Sequence, residues 1–270
     1  MRRKRTILVT FFLMAMLIGG TGLWLRAQRR QYALNRQLIA ALVNDNNQQA
    51  LALVNSGADP NTPYQPLPMP TFMQLLKRLF HRGAPPANHR LTAFQMACGA
   101  FWPGRVFFHI EGQQNHLDAP QLAEAMLRHG ANVNARDDAG LTPLHCAISY
   151  DRPNTASTLL QFGADVNGKD DTGATPLLYT AVEPDKVRLL LDHGANPNVR
   201  DGQGWTPLYW NVYWFVKHIK VRRAEDCIRQ LLAHGADPNL PDKSGYTALK
   251  YAQYYKCANL VALLKHYGKR

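Results

Sequence analysis

The chain has 270 residues, 46% hydrophobic and 10% aromatic, with a formal charge of +12 from 31 basic and 19 acidic side chains. Arg2, Arg3, Lys4, Arg5, Arg26, Arg29, Arg30 and Arg36 supply +8 of that charge, so the excess flanks one apolar stretch and argues against a nucleic-acid-binding face on the rest. The four cysteines, Cys98, Cys146, Cys227 and Cys257, show no CxxC spacing, which excludes a zinc or disulfide scaffold and leaves helix packing as their role.

In chain order, Thr6 to Leu25 is uncharged and long enough, as a helix, to span a bilayer core. It has no polar face, so a helix buried in a soluble domain is a poor reading. A cleaved signal peptide would end after Gly22, but Leu23, Trp24 and Leu25 prolong the run and Trp24 resembles an interfacial anchor. The expectation is an uncleaved N-terminal transmembrane helix, with residues 1–30 as a signal-anchor segment and 31–270 as the folded domain. Four basic residues stand on each side, so orientation rests on the tight amino-terminal cluster. That cluster places the domain on the non-cytoplasmic side of a single-pass membrane protein, with residues 6–25 as the membrane contact.

Next, YALNRQLIAALVNDNNQQALALVNSGADPN reads as two short helices broken at Asn44–Asn47 and ending at Gly57. Two inserts follow, at about 62–90 and 99–120. The first holds TPYQPLPMP, which cannot be helical. Between them lies LTAFQMA, another helix start.

From Gly130 the signals become periodic. Gly130, Gly163, Gly194 and Gly235 each open GAN or GAD after an apolar run, at steps of 33, 31 and 41 residues. Each glycine is placed to end a helix at positive φ. Twelve residues after each comes a threonine: Thr142, Thr175, Thr206 and Thr247. These threonines sit where a helix N-cap belongs, three of them with proline next. Asn134, Asn167, Asn198 and Asn239 share one repeat position, and Asp137, Asp170, Asp201 and Asp242 another. Gly, Thr, Pro and Asp are therefore structural punctuation.

The period and the TPLH-like stretches TPLHCA, TPLLYT, TPLYWN and TALKYA make the chain resemble the ankyrin-repeat family over roughly residues 32–268. The resemblance implies an all-α solenoid of about six helix pairs with hairpin loops, here preceded by the transmembrane helix. It also implies that His145 ties neighbouring repeats together, and that protein partners bind a concave surface of hairpin tips and inner helices.

Trp205, Tyr209 and Tyr213 fall at i, i+4 and i+8 along one inner helix. By register Trp205 and Tyr246 precede a capping threonine, where family members leave side chains exposed, and Tyr213 and Tyr254 match the exposed end of the inner helix. The expected protein-binding residues are Trp205, Tyr209, Tyr213, Tyr246 and Tyr254, while Trp210 and Trp214 are expected to pack.

No catalytic motif occurs, so no enzyme activity, cofactor or metal is expected. His129, His193 and His234 precede repeat glycines, where an imidazole serves the last helix carbonyls. His109, Glu111 and His116 match no ligand pattern. The expected function is a membrane-anchored, non-enzymatic protein-interaction scaffold that binds no nucleic acid. The alternatives are anionic-headgroup docking through Lys217, His218, Lys220, Arg222 and Arg223, or an enzyme with its site in the inserts.

Overall fold

A computed structural model describes residues 26–63, 92–98, 118–180, 182–217 and 222–268. Helix α1 covers 26–43, followed by α2 (Asn47–Asn55), α3 (Ala93–Ala97), α4 (Pro120–Arg128), α5 (Pro143–Ser149) and α6 (Pro153–Gln161). A 3-10 turn (Pro176–Thr180), α7 (Pro184–Asp192), α8 (Pro207–Lys217), α9 (Arg222–Ala233), α10 (Ala248–Tyr254) and α11 (Ala258–Tyr267) complete the order.

These elements form two layers. The inner layer runs α3 on α5, α5 on the 3-10 turn, the turn on α8, and α8 on α10. Behind it α2 packs on α4, α4 on α6, and α7 on α9, each inner element also touching the outer helix that follows it. One leucine-rich seam lies between the layers, because no single pair can bury both its faces. Two residues after each capping threonine, Phe94, Leu144, Leu177 and Leu208 are fully buried; at the last repeat Leu249 is only half-buried. Four residues before each repeat glycine, Met126, Leu159, Leu190 and Leu231 fill the opposite wall.

The helix ends follow the punctuation. At Gly194 the amide donates to the Leu191 carbonyl and the next amide, of Ala195, reaches Leu190, with Gly194 at φ +84°. That paired pattern requires a left-handed residue, which glycine adopts without strain. Helix starts are capped by Thr92, Thr206 and Thr247, whose hydroxyls accept the amides of Gln95, Tyr209 and Lys250 at 3.2, 3.1 and 3.0 Å.

One repeat breaks the pattern. Nine residues separate Thr175 from Pro184, against eleven from Thr142 to Pro153. The shorter chain makes its inner element a single 3-10 turn, which rises more steeply per residue than an α-helix. The Leu178 amide bonds the Thr175 carbonyl at 2.9 Å, and the buried Thr175 hydroxyl has no partner.

The expected transmembrane helix is corrected. Among the described residues no helix is long and apolar enough to cross a membrane. Thr6–Leu25 lies outside the described residues, and the helix that follows, α1, exposes Arg26, Arg29, Arg30 and Arg36 and cannot extend an apolar span. The supported architecture is the helical repeat stack. The single-pass membrane placement, with the repeats on the non-cytoplasmic side and residues 6–25 as membrane contact, is withdrawn with it. The inserts at 62–90 and 99–120, apart from 62–63 and 118–120, also lie outside the described residues, as do His109, Glu111 and His116.

Candidate functional site

The repeats are held in register by three sets of side chains, and what those sets consume decides what is left for binding. Repeat-position asparagines clamp the next repeat, Asn167 and Asn198 through two bonds each and Asn134 through its oxygen, which accepts the Asp165 amide at 2.8 Å. Asn198 donates to the Gly235 carbonyl at 2.9 Å and accepts the Asp237 amide at 2.8 Å, and Asn167 does the same with Gly194 and Asn196. A carboxamide offers a donor and an acceptor side by side on one short planar group. Asn61 makes the equivalent pair with Gly130 and Asn132, a clamp from the first repeat to the third helix pair's predecessor.

Hairpin aspartates form the second set. One oxygen of Asp137, Asp170, Asp201 and Asp242 accepts two amides of its own turn, as with Gln203 and Trp205 at 2.8 and 2.9 Å from Asp201. Burial pushes the Asp137 carboxyl above its usual range, the two amides pulling it back.

The third set bridges inner elements. His145 Nδ1 accepts the Thr142 amide at 3.2 Å, which leaves the proton on Nε2 for the Ala174 carbonyl at 3.2 Å. One repeat earlier Gln95 has the same office: its oxygen accepts the Thr92 amide at 2.9 Å and its nitrogen donates to the Leu141 carbonyl at 3.1 Å. Burial of the imidazole lowers its pKa to about 4. The tie that the resemblance implies for His145 is thus present. At the helix ends His193 and His234 bond the Leu189 and Gln230 carbonyls through Nδ1 at 2.8 and 2.9 Å, as their position suggests.

With those groups spoken for, the unconsumed feature is aromatic. Helix α8 has eleven residues where α5 and α10 have seven, so its last turn overhangs its neighbours. A chain of touching rings crosses from α8 to α10. Trp205 stacks on Tyr209 (5.9 Å), Tyr209 meets Tyr251 (5.5 Å), and Tyr213 meets Tyr251 (5.8 Å). Tyr251 then contacts Tyr255 (5.0 Å) and Tyr255 contacts Tyr254 (5.1 Å). The Lys217 ammonium stands 4.9 Å above the Tyr255 ring, a cation–π arrangement. That ammonium, with the Tyr251 hydroxyl, lowers the Tyr255 phenol, while burial raises that of Tyr209.

The expected binding residues separate by exposure. Tyr254 is 76% and Tyr246 52% exposed, Trp205 and Tyr213 are half-buried against the core, and Tyr209 is buried at 8%. Tyr209 therefore supports the strip from beneath. The expected packing roles are revised: Trp210 is half-buried, edge-on to Trp205 at 4.7 Å, and Trp214 is 37% exposed. The exposure of Trp214 follows from the overhang of α8, whose last turn extends past its shorter inner-layer neighbour α10.

Sequence reading missed Tyr251 and Tyr255. Their i, i+4 spacing in LKYAQYYK was the available signal. The basic run divides as well. Arg223 pairs with Glu183 at 2.8 Å, Lys217 belongs to the ring chain, and His218 and Lys220 lie outside the described residues. Among the described residues no His, Cys, Asp or Glu cluster could hold a metal. Cys98, Cys146 and Cys227 are buried free thiols and Cys257 is half-buried.

Family models agree with this geometry. Residues 107–170 match ankyrin repeats (3 copies), 184–214 match ankyrin repeats (many copies), and 203–243 match an ankyrin repeat. No curated protein matches the chain. The punctuation, the inter-repeat clamps and the matched models together place the chain in the ankyrin-repeat family, whose repeats form a protein–protein interaction domain.

Proposed function

We propose that the chain is a non-enzymatic scaffold that binds a protein partner on the inner-helix and hairpin face of its last two repeats. Trp205, Tyr213, Tyr246 and Tyr254 form the contact strip, with Tyr251 and Tyr255 completing it and buried Tyr209 supporting it. One observation carries the reading: a continuous chain of rings ends at Tyr254, which is 76% exposed, and Tyr246, on the hairpin before α10, is 52% exposed. Inter-repeat packing does not need exposed rings, and solvent-facing Tyr and Trp are the usual anchors of protein interfaces. Buried Tyr209 and half-buried Trp205 fix the rings from below, so less side-chain entropy is lost on binding.

The test is crosslinking with mass spectrometry on native extracts, comparing the natural chain with Tyr246→Ala and Tyr254→Ala. Loss of a reproducibly captured protein in both variants, with unchanged melting, supports the strip. Capture unaffected by either substitution rejects it.

A further inference from the structure

We infer that the partner segment seated on the aromatic strip is an acidic peptide that carries apolar side chains beside its carboxylates. This rests on the strip being the binding face. The inference comes from the charge around the rings. From Gly202 to Lys217, and again from Lys243 to Arg270, the chain holds no carboxylate side chain. The two aspartates at the roots of these hairpins, Asp201 and Asp242, spend an oxygen on two turn amides each. The nearby acids Glu225 and Asp226 belong to the outer helix α9, where Glu225 pairs with Arg229 at 2.6 Å.

The cations, by contrast, stand among the rings. Lys217 lies over Tyr255 at 4.9 Å, Lys256 follows Tyr255 in the chain, and the Lys250 ammonium bonds the Gly245 carbonyl at 3.1 Å, next to Tyr246. All three are exposed and none has a carboxylate partner among the described ion pairs. The hairpins of the earlier repeats do carry acids beside their bases, with Asp138 exposed and Asp171 paired with Arg136 at 2.9 Å. A basic partner would meet three unpaired ammonium groups here; an acidic one would neutralise them while its apolar side chains cover the tyrosines.

The purified full chain is titrated with three fluorescein-labelled decapeptides: alternating Glu with Leu and Trp, the same peptide with Lys for Glu, and decaglutamate. The Glu/Leu/Trp peptide should bind at least about tenfold more tightly than either other probe and weaken with salt. The triple variant Lys217→Glu, Lys250→Glu, Lys256→Glu should fold normally, since the three side chains are exposed, and should prefer the Lys peptide. Equal binding of both charge forms, or a single-stranded oligonucleotide that competes for the strip, overturns the inference. So does a chain that sediments as a dimer with Tyr254 covered. If capture of a natural partner is lost in Tyr254→Ala but kept in the triple variant, the strip stands as the binding face and its acidic preference falls. If capture survives in both, the two readings fall together.

Discussion

The Nε2 of His145 lies 3.2 Å from the carbonyl of Ala174, the residue immediately before the next repeat's Thr175. Gln95 reaches the carbonyl of Leu141, immediately before Thr142, at 3.1 Å. Two different side chains thus serve one purpose, holding the start of one inner element to the start of the next. Both need an acceptor toward their own cap amide and a donor toward the neighbour, which neutral imidazole and carboxamide share.

That equivalence gives a pH prediction. The imidazole pKa falls from 6.5 to about 4 on folding, because burial disfavours the charged form. The unfolded chain therefore binds the extra proton first. Stability is fully present above about pH 6.5 and is lost progressively as pH falls toward 4, by up to roughly 3 kcal/mol. His145→Gln should keep stability near pH 7.5 within about 1 kcal/mol and flatten this slope. Urea unfolding at several pH values checks it. An unchanged acid slope in His145→Gln would assign the pH dependence to other groups.

A second prediction concerns backbone. At Gly194 (φ +84°) an added Cβ would meet nothing within 4 Å, whereas at Gly140 (φ +75°) it would stand 2.7 Å from the Asp171 amide nitrogen. Gly194→Val should cost about 1–3 kcal/mol from conformation alone. Gly140→Val should cost more, since the same strain is joined by a clash between neighbouring hairpins. Chemical denaturation should rank the two in that order; equal losses would contradict the hairpin contact.

The clamps offer a third. Asn198→Ala removes both bonds to the next repeat and should destabilise by about 1–2 kcal/mol. Asn198→Asp keeps the acceptor for the Asp237 amide but sets a carboxylate against the Gly235 carbonyl, so it should not recover the loss at neutral pH. Full recovery by Asp would show that the carbonyl bond is idle.

Exposure within the strip makes the fourth. Tyr209→Ala should lower the melting temperature sharply, a buried aromatic costing about 3–5 kcal/mol, while Tyr254→Ala and Tyr246→Ala should barely move it. Differential scanning fluorimetry of the three variants distinguishes support from surface. Equal melting losses would make the whole strip a packing element.

Much of this fold is legible in the sequence. Gly130 to Thr142 and its later copies carry their geometry locally, through positive φ, hairpin aspartates and capping hydroxyls, so order and spacing suffice. Asn167 and Asn198 were visible as a shared position, though their role as clamps needed the neighbouring repeat. The 3-10 turn at Pro176–Thr180 was written only as a two-residue shortening, easily overlooked. Tyr251 was missed because its significance lies in contacts with Tyr209 and Tyr213, some forty residues away. Trp214 was misassigned since helical period gives a face but does not tell whether a neighbour is long enough to cover it. The apolar run Thr6–Leu25 pointed to a membrane span by length and hydropathy alone, and the described helices give that reading no support.

The most direct measurement is site-specific photocrosslinking. A benzophenone amino acid placed at Tyr254, on the strip, is compared with one at Arg229, exposed on outer helix α9. Irradiation in native extract should yield a discrete protein adduct from position 254 and none from 229. Adducts from 229 alone, or none from 254 while the chain still captures its partner, would contradict the assignment of the binding face to the aromatic strip.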